Sequence, residues 1–417
     1  MSLFKNIFDQ KNRILLKKIL YWGLGIKRWI LLGAIGVLIV STGIAYTVKN
    51  LFNLWIPDIL PGIWEGIIVG IFGIIILLFA AWGLLQSIAP ILFRIRGVQE
   101  ITTAIYDRRS REKGPRIVVI GGGTGLSTLL KGIKEYSDNI SAIVTVTDEG
   151  GSSGRLRRDF SIIPPGDFRK CLVALSSDKL LGDVFEHRFT KGEGIAGHSL
   201  GNLFLTALTE ITGNFEDALG QSLQVLGIHG KILPSTPSPL QLSATMSDGS
   251  QIIGETKIAS NANNIKHVSV TPENPQGYIP AIEAINQAEL VIIGPGSLFT
   301  SILPNLLVPD IREAIHKTNA TSLYVSNVAN EPGETPDFEL ADYIKTLAQH
   351  TKQNIIDYIL VHNKDIQSQK KSLTASLAEA YDAKIIFEDV VDDKNVLIHD
   401  PRKLAKAIID LYYSNTT

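Results

Sequence analysis

Two long uncharged runs near the amino end set the strongest limit on what this 417-residue chain can be. Trp29 to Val48 is 20 residues without an Asp, Glu, Lys or Arg. At about 1.5 Å per helical residue that run is about 30 Å long, the thickness of a bilayer's hydrocarbon core. Gly66 to Phe93 is a second uncharged run of 28 residues, long enough to cross with some tilt. Trp29, Trp55, Trp64 and Trp82 stand at or near the run ends, where amphipathic rings favour the membrane–water interface. A cleaved leader would start earlier, be shorter and lack a second run behind it. Both runs are therefore read as a retained two-helix transmembrane hairpin over 29–93.

Flanking charge sets the direction. Residues 1–28 carry seven basic residues and one acid, the connector 49–65 holds Lys49, Asp58 and Glu65, and residues 94–116 carry seven basic residues against three acids. Positive charge stays on the cytoplasmic side, so both ends are expected there. The organisation is a basic cytoplasmic arm (1–28), two spans (29–48 and 66–93), a juxtamembrane linker (94–114) and a cytoplasmic domain (115–417). The expected localisation is a multi-pass membrane protein with two spans.

The cytoplasmic part is acidic, with 26 Lys+Arg against 35 Asp+Glu over residues 114–417. A basic nucleic-acid-binding body is excluded on that balance. One cysteine, Cys171, leaves no intrachain disulfide and suits a reducing compartment. The eight histidines show no metal-ligand spacing, so no metal site is expected from them. From Pro115 short β-branched runs alternate with helical stretches, the pattern of βαβ units and a mostly parallel sheet with helices on both faces, a Rossmann-like α/β fold. The expected strands are 116–120, 142–147, 290–294, 322–326 and 355–361, and the expected helices 126–135, 168–176, 200–211 and 280–286. Residues 240–271 alternate polar and apolar around Asp248-Gly249 and read as antiparallel strands inserted in the body.

Several turns carry chemistry. Gly121, Gly122, Gly123, Thr124 and Gly125 follow an apolar strand and open a helix. Glycines there let a backbone approach a ligand, and free N–H groups attract phosphate. Position 128 is Thr128, so the run is not a dinucleotide fingerprint, and no Gly-Lys-Ser/Thr follows, so it is not a Walker loop. The second loop runs Asp148-Glu149-Gly150-Gly151-Ser152-Ser153-Gly154-Arg155-Leu156-Arg157. Asp148 suits ribose hydroxyls or a hydrated Mg²⁺, Ser152 and Ser153 an anion, and Arg155 or Arg157 a phosphate. Asp167, after Pro164-Pro165-Gly166, reads as a helix N-cap and equally as a metal or substrate ligand. Gly197-His198-Ser199-Leu200-Gly201 matches a nucleophile elbow, but no strand precedes it. Ser199 is therefore read as a helix entry, with His198 and Asn202 one turn apart and facing a ligand. Gly294, Pro295, Gly296 and Ser297 form another cradle at a strand end.

In order, GGGTGLS (121–127), TDEGGSSGRLR (147–157), PPGDFRKCL (164–172), GHSLGNL (197–203), ILPST (232–236) and IIGPGSLFTSILPNLLV (292–308) resemble the gluconeogenesis-factor family, YvcK-type, related to the CofD-like 2-phospho-L-lactate transferases. The resemblance covers about residues 115–410. It implies a membrane-anchored regulator that binds a UDP-sugar and links carbon metabolism to envelope growth and cell shape. The transferase relatives imply the alternative, Mg²⁺-dependent transfer of a phospholactyl group from a guanylylated donor to a deazaflavin precursor, with Asp148 and Asp167 catalytic. The resemblance also sets Tyr381 as a nucleotide-stacking residue and marks two departures: Glu149 stands where the family has a second Asp, and Ile398 where many members have Arg. A homo-oligomer is left open.

Overall fold

The computed structural model describes residues 26–52, 63–92, 108–261, 265–352, 354–363 and 383–416. Residues 1–25, Trp55, most of the linker and Tyr381 lie outside them. The chain divides into two compact units, Met1–Glu112 and Lys113–Thr417.

In the first unit α1 (Ile26–Phe52) and α2 (Ile63–Leu92) pack antiparallel through small residues. The Trp29 ring lies against Gly83 and meets Phe79 edge-on at 5.5 Å. A Cβ on Gly73 would fall 2.7 Å from the Val40 backbone nitrogen and 3.1 Å from the Gly36 carbonyl oxygen. Such close backbone approach is typical of helices that pack through small residues. The outer faces carry exposed Leu31, Leu38, Ile68, Leu78 and Trp82. Among the described residues one window, Arg28–Ala45, is long and apolar enough to cross a membrane, while the apolar stretch Ile67–Gly83 is shorter.

The second unit is built on a seven-stranded sheet, all of it parallel. Its strands are β1 (Ile117–Gly121), β2 (Ile140–Val144), β3 (Lys231–Pro234), β7 (Leu290–Ile293), β8 (Thr321–Val325), β9 (Tyr358–His362) and β10 (Lys384–Glu388). Every residue of β1 and β7 is buried, as expected where both faces of a parallel sheet are covered. The order is β10-β9-β8-β7-β1-β2-β3. The chain thus builds outward from β1 to β3, returns, and builds outward from β7 on the other side. That reversal between β1 and β7 is a topological switch point, where a crevice opens beyond the carboxyl ends of the strands.

A second, antiparallel sheet of β4 (Gln241–Met246), β5 (Gln251–Ile253) and β6 (Ile265–Thr271) fills the middle stretch. The helix α9 (Glu255–Asn261) interrupts it, an element that the alternating pattern hid. The remaining helices used below are α3 (Gly123–Ile133), α4 (Gly151–Phe160), α5 (Gly166–Leu175), α7 (Leu200–Thr212), α8 (Phe215–Val225) and α14 (Pro401–Thr416). Two expectations are corrected. The strand at 142–147 ends at Val144, which leaves Thr145 and Thr147 beyond it, and most of the second loop is helix α4 rather than coil.

Candidate functional site

A cavity of about 610 Å³ opens at the switch point. Its floor is two loops that cross with almost no space between them. A Cβ on Gly125 would lie 2.6 Å from the Pro295 carbonyl carbon and 2.9 Å from the Gly296 Cα, so only glycine lets these backbones meet. Asn327 clamps the second loop, accepting from the Gly296 N–H (3.2 Å) and donating to its carbonyl oxygen (3.0 Å). Behind it the five residues Leu298–Ile302 form a π-turn, a feature that concentrates at functional sites. Glu334, 3% exposed, holds that turn by accepting from the Phe299 N–H at 3.0 Å and from the Thr300 hydroxyl.

The walls carry charge. Asp148, Asp167, Glu255 and Glu331 all line the cavity, with Lys170 beside them. Asp167 is not a helix cap: α5 starts at Gly166, with Pro165 in the capping position. Its carboxylate reaches across to the first loop and accepts from the Gly123 N–H at 2.7 Å, while its other oxygen pairs with Lys170 Nζ at 3.0 Å. The donors of the first turn of α3 therefore already hold one carboxylate. Burial, then the nearby Asp167, raises the Asp148 carboxyl above its usual range. Burial, with Asp148 and Asp167 adding to it, pushes Glu255 up to about 7. Burial opposes the charge on Lys170, but Asp167 more than offsets it, and the ammonium titrates above its usual value. The site is short of positive charge and rich in acceptors, so it favours hydroxyl donors or a cation accompanying an anion.

Of the residues singled out in the sequence, Gly122, Gly123, Thr124, Gly125, Asp148, Asp167, Pro295, Gly296 and Ser297 line this cavity. Gly121 and Gly294 stand just behind it, the first accepting from Asn305 Nδ2 at 3.1 Å and the second holding a positive φ of 83°. The others do not reach the cavity lining. Ser152 Oγ bonds His198 Nδ1 at 2.9 Å and accepts from Asn202 Nδ2 at 3.0 Å, a buried trio that ties α4 to α7. Ser153 hydrogen-bonds the Asp148 carboxylate. Gly154 is packed on the Glu149 backbone, Gly151 is exposed, and Arg155 donates to the Ala196 carbonyl at 3.0 Å. Ser199 is fully buried and caps α7 by accepting from the Asn202 N–H, which removes the nucleophile elbow. Glu149, the departure from the family's second Asp, lies 3.8 Å from Arg157 and beside Gly254, off the cavity lining. Lys170, Glu255, Thr300, Asn327 and Glu331 are cavity residues that the sequence reading missed.

The 2-phospho-L-lactate transferase CofD family model matches residues 117–399. The gluconeogenesis factor of Bacillus subtilis is 45% identical over 71% of this chain and 98% of its own length. A gluconeogenesis-factor homologue from Nostoc is 41% identical over 94% of this chain and 91% of its own. The chain belongs to the gluconeogenesis-factor family. A crystal structure of a Bacillus halodurans member of the UPF0052 family has the same body, at 41% identity and a TM-score of 0.66, covering 71% of this chain and 99% of that one. Family membership thus covers the cavity-bearing body, and the Nostoc homologue extends over most of the N-terminal unit as well.

Proposed function

We propose that the body binds a nucleotide-sugar of the UDP class in the switch-point cavity, and that the hairpin anchors it in the membrane with both ends cytoplasmic. The chain would then report carbon supply to envelope growth and cell shape. The observation that carries this reading is the crossing of two glycine loops over β1 and β7, with backbone at the place where an open parallel sheet receives a nucleotide. At about 610 Å³ the cavity has room for a large polar ligand, and its carboxylates can accept from sugar hydroxyls. Isothermal titration of the detergent-solubilised chain with UDP-N-acetylglucosamine and UDP-glucose tests it. Saturable binding is expected, and heat-silent titrations of folded protein with both would overturn it.

The pair Asp148 and Asp167 favours one second reading, phospholactate-type transfer. Mg²⁺ suits these hard oxygen ligands, although among the described residues no group of three acidic or histidine side chains is placed to hold a metal. A cation would be shared between one or two carboxylates and ligand phosphates, the ordinary mode for Mg²⁺. Transfer predicts Mg²⁺-dependent consumption of a guanylyl donor that Asp148→Asn abolishes.

Anchoring is supported by the outward apolar faces of α1 and α2 and by the flanking basic residues. The chain is expected to stay with membranes after an alkaline carbonate wash. Release into the supernatant would leave the hairpin as a soluble packing device.

A further inference from the structure

The cavity changes character along its length. Toward β2 it is lined by Thr145, Thr147, Asp148 and Glu255; toward β8 apolar Val328, Ala329, Leu397 and Ile398 stand among the polar Asn327, Asn330 and Glu331. The second set includes part of an unusual feature. Val396, Leu397 and Ile398 are three consecutive large apolar residues, 54%, 65% and 51% exposed.

The loop that presents them is pinned. Asp392 accepts from the N–H groups of Lys394 and Asn395 at 2.8 and 2.9 Å, and its own N–H donates to the Ile398 carbonyl at 3.0 Å. The Asn395 side chain accepts from the Leu397 N–H at 3.1 Å. Lys403 ties Asp389 and Asp393 at 2.9 and 2.6 Å. Next along the chain, His399 is hydrogen-bonded to the Ser326 backbone, directly beyond β8. Apolar side chains held in water at the lip of a polar cavity lose transfer free energy until something covers them.

We infer that the ligand has a fixed direction: its nucleobase covers Leu397 and Ile398 at the β8 end, and its sugar meets Asp148 and Glu255 at the β2 end. The inference rests on the nucleotide-sugar reading above. A nucleobase is the one part of such a ligand with flat apolar faces. A hexose ring offers several hydroxyl donors, which carboxylates accept in pairs. The diphosphate then spans the middle, over the glycine loops, where Asp167 already accepts from the Gly123 N–H and Lys170, paired with Asp167, is the nearby cation.

Titrating UDP and UDP-N-acetylglucosamine into the full chain, its L397A/I398A variant and its Glu255→Gln variant tests the direction. Leu397 and Ile398 are exposed and Glu255 is half-buried, and melting curves should confirm that the variants are folded. L397A/I398A is expected to weaken both ligands about tenfold, leaving their ratio as in the parent. Glu255→Gln is expected to weaken UDP-N-acetylglucosamine alone. UDP affinity untouched in L397A/I398A, or equal losses for the two ligands in Glu255→Gln, overturns the direction while leaving nucleotide-sugar binding intact. Failure of the parent chain to bind either ligand instead removes the reading beneath it.

Discussion

Replacing Gly132 by alanine is expected to destabilise the body by about 3 kcal/mol, at the upper end for an overpacked site. In an isolated helix the same change would stabilise by about 1 kcal/mol, because glycine is the poorer helix former. Here α14 crosses α3 at that residue. A Cβ on Gly132 would lie 2.6 Å from the Pro401 carbonyl carbon and 2.9 Å from Ala405 Cβ, and would overlap the Pro401 oxygen itself. The obstacle is backbone, so no rotamer relieves it and the whole helix must shift. Gly220 on α8 is the matched control: it is exposed and a Cβ there meets nothing within 4 Å. Urea unfolding should show Gly132→Ala with a lowered midpoint and Gly220→Ala with a slightly raised one. The shift also disturbs His399, two residues before Pro401 and part of the cavity lining, so under the proposed reading nucleotide-sugar affinity should fall with stability in the first variant and stay unchanged in the second. Equal midpoints for the two variants would mean that α14 does not cross there.

The parallel sheet was readable because its central strands are buried on both faces, and such strands leave continuous β-branched runs such as Ile117–Ile120 and Leu290–Ile293. The glycine loops were readable for a related reason: backbone crossing backbone admits no side chain, and that demand is written locally. What failed was polar detail. Asp167 looks like a cap because it follows Pro-Gly, yet its partner is the Gly123 N–H, 44 residues away. Ser152, His198 and Asn202 have the residue types of ligand contacts, but they satisfy one another across roughly 50 residues of chain. Glu255 and Glu334 enter the site or its wall from segments with no motif at all, brought there by the inserted sheet and by the loop after β8. Local pattern reports which backbone must be bare; it does not report which buried polar groups will find each other.

Acid is expected to expose one of those buried polar arrangements. His350 is 4% exposed. Its Nε2 accepts from the Val268 N–H at 3.0 Å and its Nδ1 lies 2.7 Å from the Thr346 carbonyl oxygen, so the neutral ring, with its proton on Nδ1, satisfies both neighbours. A second proton would set two donors face to face. Burial drives the pKa down to about 4 from the ordinary 6.5, with His267 adding to the effect from a stacked ring 4.4 Å away. The unfolded chain takes up this proton near pH 6.5 and the native chain only near 4, so stability drops as the pH falls through that window. At about 1.36 kcal/mol per unit the loss is about 3 kcal/mol. Glu334 masks it in the intact protein. Burial pushes its carboxyl up to about 7 from 4.5, so its contribution is lost as the pH rises through 7 and fully present below 4.5, the opposite sense over nearly the same range. Glu255, also raised to about 7, acts in the same sense as Glu334, and His399, pushed down to about 4 by burial, in the same sense as His350, so the parent curve sums opposed groups and the informative quantity is the difference from a His350→Gln variant. That variant is less stable at pH 7, and the gap should narrow by about 3 kcal/mol by pH 4. A gap that stays constant across the range, measured by urea unfolding at each pH, would show that the His350 ring is not held neutral by its surroundings.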